Sequence, residues 1–309
     1  MPHTIKIVII GIGAVGGYFG GVLAKKYAEN NEVEIYFVAR GEHLKQIQEK
    51  GLKIVNGENT FIAKPHLATE HAEEIGIADF IIVCTKSYDL EAAIMQLKPC
   101  IDKKTILIPL LNGVDSVERI KGMLPENQVL SACVYIISQL KEAGTIEVTG
   151  NVQSLFFGTD NAVNQEQRLL EKLLKEADIK ATLTPNISTI VWEKFIFISS
   201  IATATSYFDC CVGKLLEEHE ETLKKLIDEA TDIALAKGIQ LDAEIRIKTF
   251  NKQKSLPYDT ITSMHRDFRK GGKTEYVSIT EYVTNWGKRL NIKTAAFDKI
   301  LKSFIECAS

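Results

Sequence analysis

Residues 6–24 read Lys6-Ile-Val-Ile-Ile-Gly11-Ile-Gly13-Ala14-Val15-Gly16-Gly17-Tyr-Phe-Gly20-Gly21-Val-Leu-Ala24. A short apolar strand runs into G-x-G-x-x-G and then into a helix of small residues. In the physics of this motif, Gly11 makes the tight turn, Gly13 admits a pyrophosphate to the backbone, and Gly16 lets the helix pack close to the strand. The free N–H groups of the helix start, at Ala14, Val15 and Gly16, then face the anion. Alone, the motif is weak, because glycines also gather in ordinary turns. Its setting strengthens it: residues 5–10 read as a buried strand, 14–28 as a helix and 33–38 as a second strand, which is the length of a βαβ unit. No charge occurs between Ile7 and Ala24, a pattern that a signal peptide or membrane span also shows. The glycine content, the lack of a basic leader and the strand that follows argue against both.

The end of the second strand selects the cofactor. An NAD site places Asp or Glu there to accept from the ribose 2′-OH. Here the chain reads Phe37-Val38-Ala39-Arg40-Gly41. A carboxylate would repel a 2′-phosphate, whereas a guanidinium holds it through charge-assisted bonds, so Arg40 indicates NADP(H). Glu42, two residues on, pulls the other way.

The remainder of residues 1–184 alternates strand and helix. A polar helix is expected over 42–50, short extended segments near 52–55 and 60–63, buried strands over 79–85, 105–111 and 129–138, and a helix over 90–97. Segments 145–148 and 154–157 suggest a terminal hairpin. Continuous apolar strands separated by helices predict a Rossmann-type doubly wound parallel sheet. Beyond Pro185 the pattern is helical: 188–206, 214–237 with Gly238 as its stop, 241–253, 274–290 and 294–307. The expected fold class is therefore α/β, with an NADP-binding domain over 1–184 and an all-helical substrate domain over 185–309.

Composition agrees with a globular chain of two domains and no disorder. The 309 residues are 45% hydrophobic and 25% charged, with a formal charge of −3 and no basic block, which disfavours nucleic-acid binding. Six cysteines (Cys84, Cys100, Cys133, Cys210, Cys211, Cys307) lack metal or C-x-x-C spacing and read as reduced core thiols of a cytoplasmic protein. No metal and no membrane partner is expected, and the helical half could offer a homodimer surface.

Ligands of open α/β sheets bind beyond the C-terminal strand ends. Thr85-Lys86, Asn112-Gly113 and the Ser131–Ser138 region fall there, although polar residues at such places also simply begin loops. In the helical half, Val191, Lys194, Ile198 and Ile201 or Ala202 share one helix face, so a lysine stands among apolar neighbours. Such a lysine snorkels, pairs with a carboxylate, or acts as proton donor to a carbonyl receiving hydride. Glu275, near a helix start, either answers the helix dipole or sets the charge balance around Lys194.

Taken in order, Gly11-Ile-Gly13-Ala-Val-Gly16-Gly17, Val38-Ala-Arg40, Thr85-Lys86, Leu111-Asn112-Gly113, Trp192-Glu-Lys194, Ser263-Met-x-x-Asp267 and Thr274-Glu275 resemble the ketopantoate reductase (2-dehydropantoate 2-reductase) family over almost the whole chain. The resemblance implies NADPH-dependent reduction of a small 2-oxo acid, foremost 2-dehydropantoate to pantoate in pantothenate biosynthesis. It implies Lys194 as proton donor, Lys86 and Asn112 lining the cofactor and substrate crevice, and Ser263 on the substrate carboxylate. It also implies a residue near Ile137, closing the sixth strand, on the nicotinamide, and Glu275 on the cofactor or on Lys194. The substrate positions depart from the family pattern: its Asn residues are replaced by Ile198, Ala202, Val212 and Thr260, its later Asn-Gly by Thr280-Glu281, and a late Pro by Thr294. An apolar pocket favours hydrocarbon over a hydroxylated substrate. A branched or aromatic 2-oxo acid is thus the alternative substrate, and a non-catalytic dinucleotide-binding protein the alternative of another class, which would not require Lys194.

Overall fold

The computed structural model describes residues 3–308, without the side chains of Asn151, Cys307 and Ala308, and it separates into two compact units. One runs to Leu111 and resumes over Ser116–Ile187; the other comprises Asn112–Asp115 and the chain from Ser188 onward. The division thus falls a few residues after the expected boundary. It also assigns to the helical unit a tetrapeptide that the sequence boundary leaves with the sheet.

The first unit contains β1 (Ile5–Ile10), α1 (Ala14–Lys26), β2 (Val33–Val38), α2 (Gly41–Lys50), β3 (Leu52–Asn56), β4 (Asn59–Ala63), β5 (Leu67–Thr69), β6 (Phe80–Val83), α3 (Leu90–Leu97), β7 (Ile106–Pro109), α4 (Ser116–Met123), β8 (Ser131–Glu142), β9 (Thr145–Gly158), α5 (Gln165–Glu176) and β10 (Lys180–Leu183). Its principal sheet is wholly parallel, in the order β5-β2-β1-β6-β7. Both faces of this sheet are buried, which is why its strands carry no polar alternation. Val8, Ile10, Tyr36, Val38, Ile81 and Val83 pack with Leu90, Ile94 and Leu97 of α3. The intervening residues, Ile7, Ile9, Ile35, Phe37 and Ile82, pack with Phe19 and Leu23 of α1 and with a second sheet through Leu52, Ile54 and Ile146.

That second sheet, β10-β9-β3-β4 with β8 paired to β9, is mixed and corrects two expectations. Residues 129–138 do not form another parallel strand. Val129 makes only an isolated bridge to Leu107, and β8 pairs antiparallel with β9. Gly144, at φ +79°, supplies the tight turn between them. The hairpin expected within 145–157 is instead one continuous strand, β9; Gly150, at φ +78°, accommodates an irregularity in the pairing rather than a chain reversal. Ile137 accordingly lies within β8, beside a register shift, and does not close a strand. Strands β5 and β10 and helices α4 and α5 were not anticipated; α5 starts on a reciprocal capping box between Asn164 and Gln167.

Helix α1 lies against both sheets, and its paired glycines explain how. A Cβ on Gly16 would stand 2.3 Å from the Gly11 carbonyl oxygen, and one on Gly20 2.9 Å from the Phe37 ring, both in the principal sheet's layer. A Cβ on Gly17 would stand 2.6 Å from Ile146, and one on Gly21 2.8 Å from Ile54, in the second sheet. Two glycine pairs at i, i+4 spacing thus let the helix approach two sheets at once. Gly21→Val, away from the loop, is expected to cost roughly 1–3 kcal/mol by overpacking. Urea unfolding would show a lower midpoint at unchanged slope; an unchanged midpoint would contradict the packing described.

The helical unit contains α6 (Ile187–Tyr207), α7 (Val212–Glu218), α8 (Glu220–Ala236), α9 (Ile245–Lys254), α10 (Ser263–Arg269), a π-helical turn over Val277–Glu281, α11 (Tyr282–Leu290) and α12 (Ala295–Ala308). The single helix expected over 214–237 is two. His219 breaks it at φ −136°, its ring stacked on Phe208 at 3.6 Å between centroids. The segment expected to precede a helix at Ser263 is itself α10, because Thr262 caps it by accepting the His265 N–H. Trp192, Phe195, Leu226, Val283 and Phe297 centre the core. By length and composition α6 could cross a membrane, but 56% of its apolar window is buried inside the fold, as in a core helix. Cys100, Cys133 and Cys210 are buried and Cys84 and Cys211 partly so, none of these five in a disulfide; the Cys307 side chain lies outside the described residues. Burial pushes the Cys100 thiol up to about 11.

Candidate functional site

In the first unit the site elements gather at the C-terminal ends of the central strands of the principal sheet. Register pairs Ile10 with both Val38 and Val83, so the turns that follow β1, β2 and β6 leave the sheet side by side. Gly11 adopts φ +85°, and a Cβ there would lie 2.7 Å from the Cys84 carbonyl carbon and Thr85 nitrogen; only glycine fits this turn. Gly13, at the N-cap of α1, has the opposite setting, with nothing within 4 Å of a Cβ position. No acidic side chain occupies the first turn of α1, and no side chain caps it. The N–H groups of Ala14, Val15 and Gly16 precede the first intrahelical bond, from the Gly17 N–H to the Gly13 carbonyl at 2.8 Å. An open glycine at an uncapped helix start suits a pyrophosphate.

Arg40 is the N-cap of α2, exposed, and its side chain makes no hydrogen bond or ion pair among the described residues. Glu42 is turned along the helix, accepting from Gln46 Nε2 at 2.8 Å. The guanidinium beside the glycine turn is therefore the charge available for a phosphate. Lys86 opens the short turn after β6 and is half-buried. Ile137 is 68% exposed on β8.

His43 was missed by sequence reasoning. Its Nδ1 accepts the Gly144 N–H at 2.9 Å, which leaves the proton on Nε2 to be donated to the Ile12 carbonyl at 2.6 Å. One neutral imidazole thus ties α2 and the β8–β9 turn to the glycine loop. Its only sequence signal is its place in the helix turn after Arg40. Burial holds the His43 pKa below the ordinary 6.5, opposed by the Ile12 carbonyl. Because the folded value is depressed, this contribution to stability is complete above about pH 6.5 and is lost as pH falls toward the folded value. The difference in melting temperature between wild type and His43→Gln is expected to shrink from pH 7.5 to 5.5. A difference that grows would contradict the neutral assignment.

In the helical unit, Lys194 is half-buried on α6, and its Nζ donates to Asn112 Oδ1 at 3.3 Å. Two further bonds fix what surrounds this helix. Thr203 and Thr280 share a hydroxyl bond of 2.7 Å, and Thr205 and Thr262 one of 3.0 Å. The second holds the start of α10, and with it the half-buried Ser263, to α6. Glu275 is 5% exposed, just ahead of the π-helical turn. Ile198, one helical turn after Lys194, is half-buried, whereas Ala202 and Val212 are packed in the core at 2% and 0% exposure. Thr280 is spent on Thr203, and the Thr260 carbonyl accepts the Val212 N–H. Several departures from the family pattern are therefore absorbed by the fold. Among the described residues, no group of three or more His, Cys, Asp or Glu side chains could hold a metal ion.

The structure brings Lys194 and Asn112 together directly, and it gathers the glycine loop, Arg40 and Lys86 at the C-terminal ends of neighbouring strands. Residues 7–161 match the family model described as ketopantoate reductase PanE/ApbA, and residues 186–305 match its C-terminal counterpart. The chain is 28% identical over 298 residues to the uncharacterized oxidoreductase YkpB of Bacillus subtilis, covering 96% of each chain. It is 27% identical over 296 residues to a 2-dehydropantoate 2-reductase of Streptococcus pyogenes, covering 93% of each. The crystal structure of 2-dehydropantoate 2-reductase from Porphyromonas gingivalis W83 superposes with a TM-score of 0.87 at 31% identity, covering 98% of this chain and all of that one. With two family models spanning both units and matching relatives along nearly its whole length, this chain belongs to the ketopantoate reductase family of oxidoreductases.

Proposed function

We propose that this protein reduces a small 2-oxo acid to the 2-hydroxy acid with NADPH, and that 2-dehydropantoate is its substrate. The observation that carries the proposal is Lys194, an ammonium held by Asn112 on a helix otherwise rich in apolar residues. Reduction of a ketone leaves an alkoxide, and a positioned ammonium both stabilises that charge and quenches it with a proton. Asn112 Oδ1 accepts from the ammonium and so fixes where its remaining N–H bonds point. Lys194 is the catalytic acid in this reading, and Ser263 binds the carboxylate through its hydroxyl. Glu275, buried and one turn from Ser278, tunes the charge around them.

NADPH supplies the hydride when bound. The chain offers it the open Gly13, the N–H groups of Ala14, Val15 and Gly16, the Arg40 guanidinium for the 2′-phosphate, and Lys86 at the neighbouring turn. Asn112 and Ile137 are assigned to the nicotinamide end. The residue that ends β2's turn is Arg40 rather than Asp or Glu, and Glu42 accepts from Gln46 along its own helix through one oxygen.

One observation favours a second substrate. Ile198 presents a half-buried hydrocarbon one turn from Lys194, where an amide would have hydrogen-bonded a substrate hydroxyl, so a branched or aromatic 2-oxo acid is the competing reading. Steady-state rates with NADPH across 2-dehydropantoate, 2-oxoisovalerate and phenylglyoxylate separate them. A higher kcat/KM for 2-dehydropantoate supports the first reading, and Ile198→Asn should then raise it further. A preference for either apolar acid supports the second.

A further inference from the structure

The tetrapeptide Asn112–Asp115 sits in the helical unit although the chain on either side of it belongs to the sheet unit. Something must hold it there. At one end Asn112 accepts from Lys194. At the other, Ser278 Oγ donates to Asp115 Oδ2 at 2.8 Å, a bond between residues 163 apart in the chain. Between them Gly113 adopts φ +103°, and a Cβ there would lie 3.1 Å from Asp115 Oδ1 and 3.3 Å from the Ser278 carbonyl oxygen. The segment therefore lies close against the turn that carries Ser278, and at φ +103° a side chain at Gly113 would be both strained and tightly packed.

Ser278 is only 2% exposed and lies in the π-helical turn. Such a turn inserts one residue into the helical register, re-aiming the side chains that follow. Two residues on, Thr280 is bonded to Thr203, which stands on the same helix as Lys194. The contacts close a circuit: Lys194 to Asn112, along the tetrapeptide to Asp115, across to Ser278, along the turn to Thr280, and back to α6 at Thr203. The Ser278–Asp115 bond is thus one of the ties between the tetrapeptide and the elements around α6.

We propose that Ser278 and Asp115 are positioning residues, which fix Asn112 against Lys194 and thereby set the orientation of the catalytic ammonium. This rests on the assignment of Lys194 as the proton donor. Neither residue touches the reacting atoms in this account. A displacement of about 1 Å in such a group costs up to about 10²-fold in rate.

Ser278→Ala and Asp115→Ala are each expected to lower kcat by about 10–100-fold. The KM for NADPH should change far less than kcat, because the glycine loop and Arg40, which hold the dinucleotide phosphates in this reading, are untouched. Asp115→Asn, which keeps an acceptor oxygen, should restore most of the rate, and the double alanine variant should be no worse than either single one. A crystal structure of Ser278→Ala should show the Lys194–Asn112 pair parted, a readout that does not depend on turnover. An intact pair, an undiminished kcat, or parallel losses in kcat, NADPH affinity and thermal stability without rescue by Asp115→Asn would each overturn the proposal. If the pair parts but the wild-type protein turns over no 2-oxo acid, the positioning holds and the functional reading falls.

Discussion

Lys194→Met is expected to lower kcat for 2-oxo acid reduction by about 10²–10⁴-fold, the range of a positioned general acid. Methionine keeps most of the lysine's length and apolar stem, so α6 should retain its packing and the melting temperature should change little. The KM for NADPH should change far less, since the glycine loop and Arg40, which hold the dinucleotide phosphates in this reading, are untouched. A loss confined to kcat and kcat/KM marks an interaction made in the transition state. A loss confined to KM would mean that Lys194 only binds substrate, and unchanged rates would remove it from the chemistry.

The second large effect is on cofactor choice. Arg40→Ala should raise the KM for NADPH by about 10–100-fold, the equivalent of losing one or two charge-assisted hydrogen bonds to a phosphate. The KM for NADH should move far less, because NADH has no 2′-phosphate for Arg40 to meet. The variant should therefore lose most of its preference for NADPH. This follows from the exposure of Arg40 and its lack of a side-chain partner, which leave its charge available. If both cofactors weaken together, Arg40 supports the turn and does not read the phosphate.

What could be read from the sequence, and what could not, divides by distance along the chain. β1, β2 and α3 occur where local pattern places them, because a strand buried on both faces and an amphipathic helix are written in consecutive residues. The glycine loop was legible for the same reason. The β8–β9 ribbon was not. Its first strand is apolar enough to resemble a parallel core strand, and Gly150 looks like a turn, yet the antiparallel partner decides both.

Long-range bonds were less legible still. Lys194 could be singled out as a lysine on an apolar face, but its bond to Asn112 joins residues 82 apart, and nothing local announces it. Ser278 and Asp115 are single polar residues in ordinary surroundings until the π-helical turn sets them together. His43 is one more polar residue in a polar helix until its ring is seen between Ile12 and Gly144. The departures from the family pattern carry a related lesson. Thr280 and Val212 looked like changes to a pocket, but the first is buried against Thr203 and the second fills the core. Ile198 is the departure that stays half-buried one turn from Lys194, and the question of substrate therefore concentrates on it.

The central claim is tested most directly by incubating the purified protein with NADPH and 2-dehydropantoate and identifying the product by mass spectrometry while following NADPH. The expected result is pantoate formed in step with NADPH consumed, abolished to near background in Lys194→Met. NADPH that binds but is not consumed, with 2-dehydropantoate or with any other 2-oxo acid offered, would contradict the account.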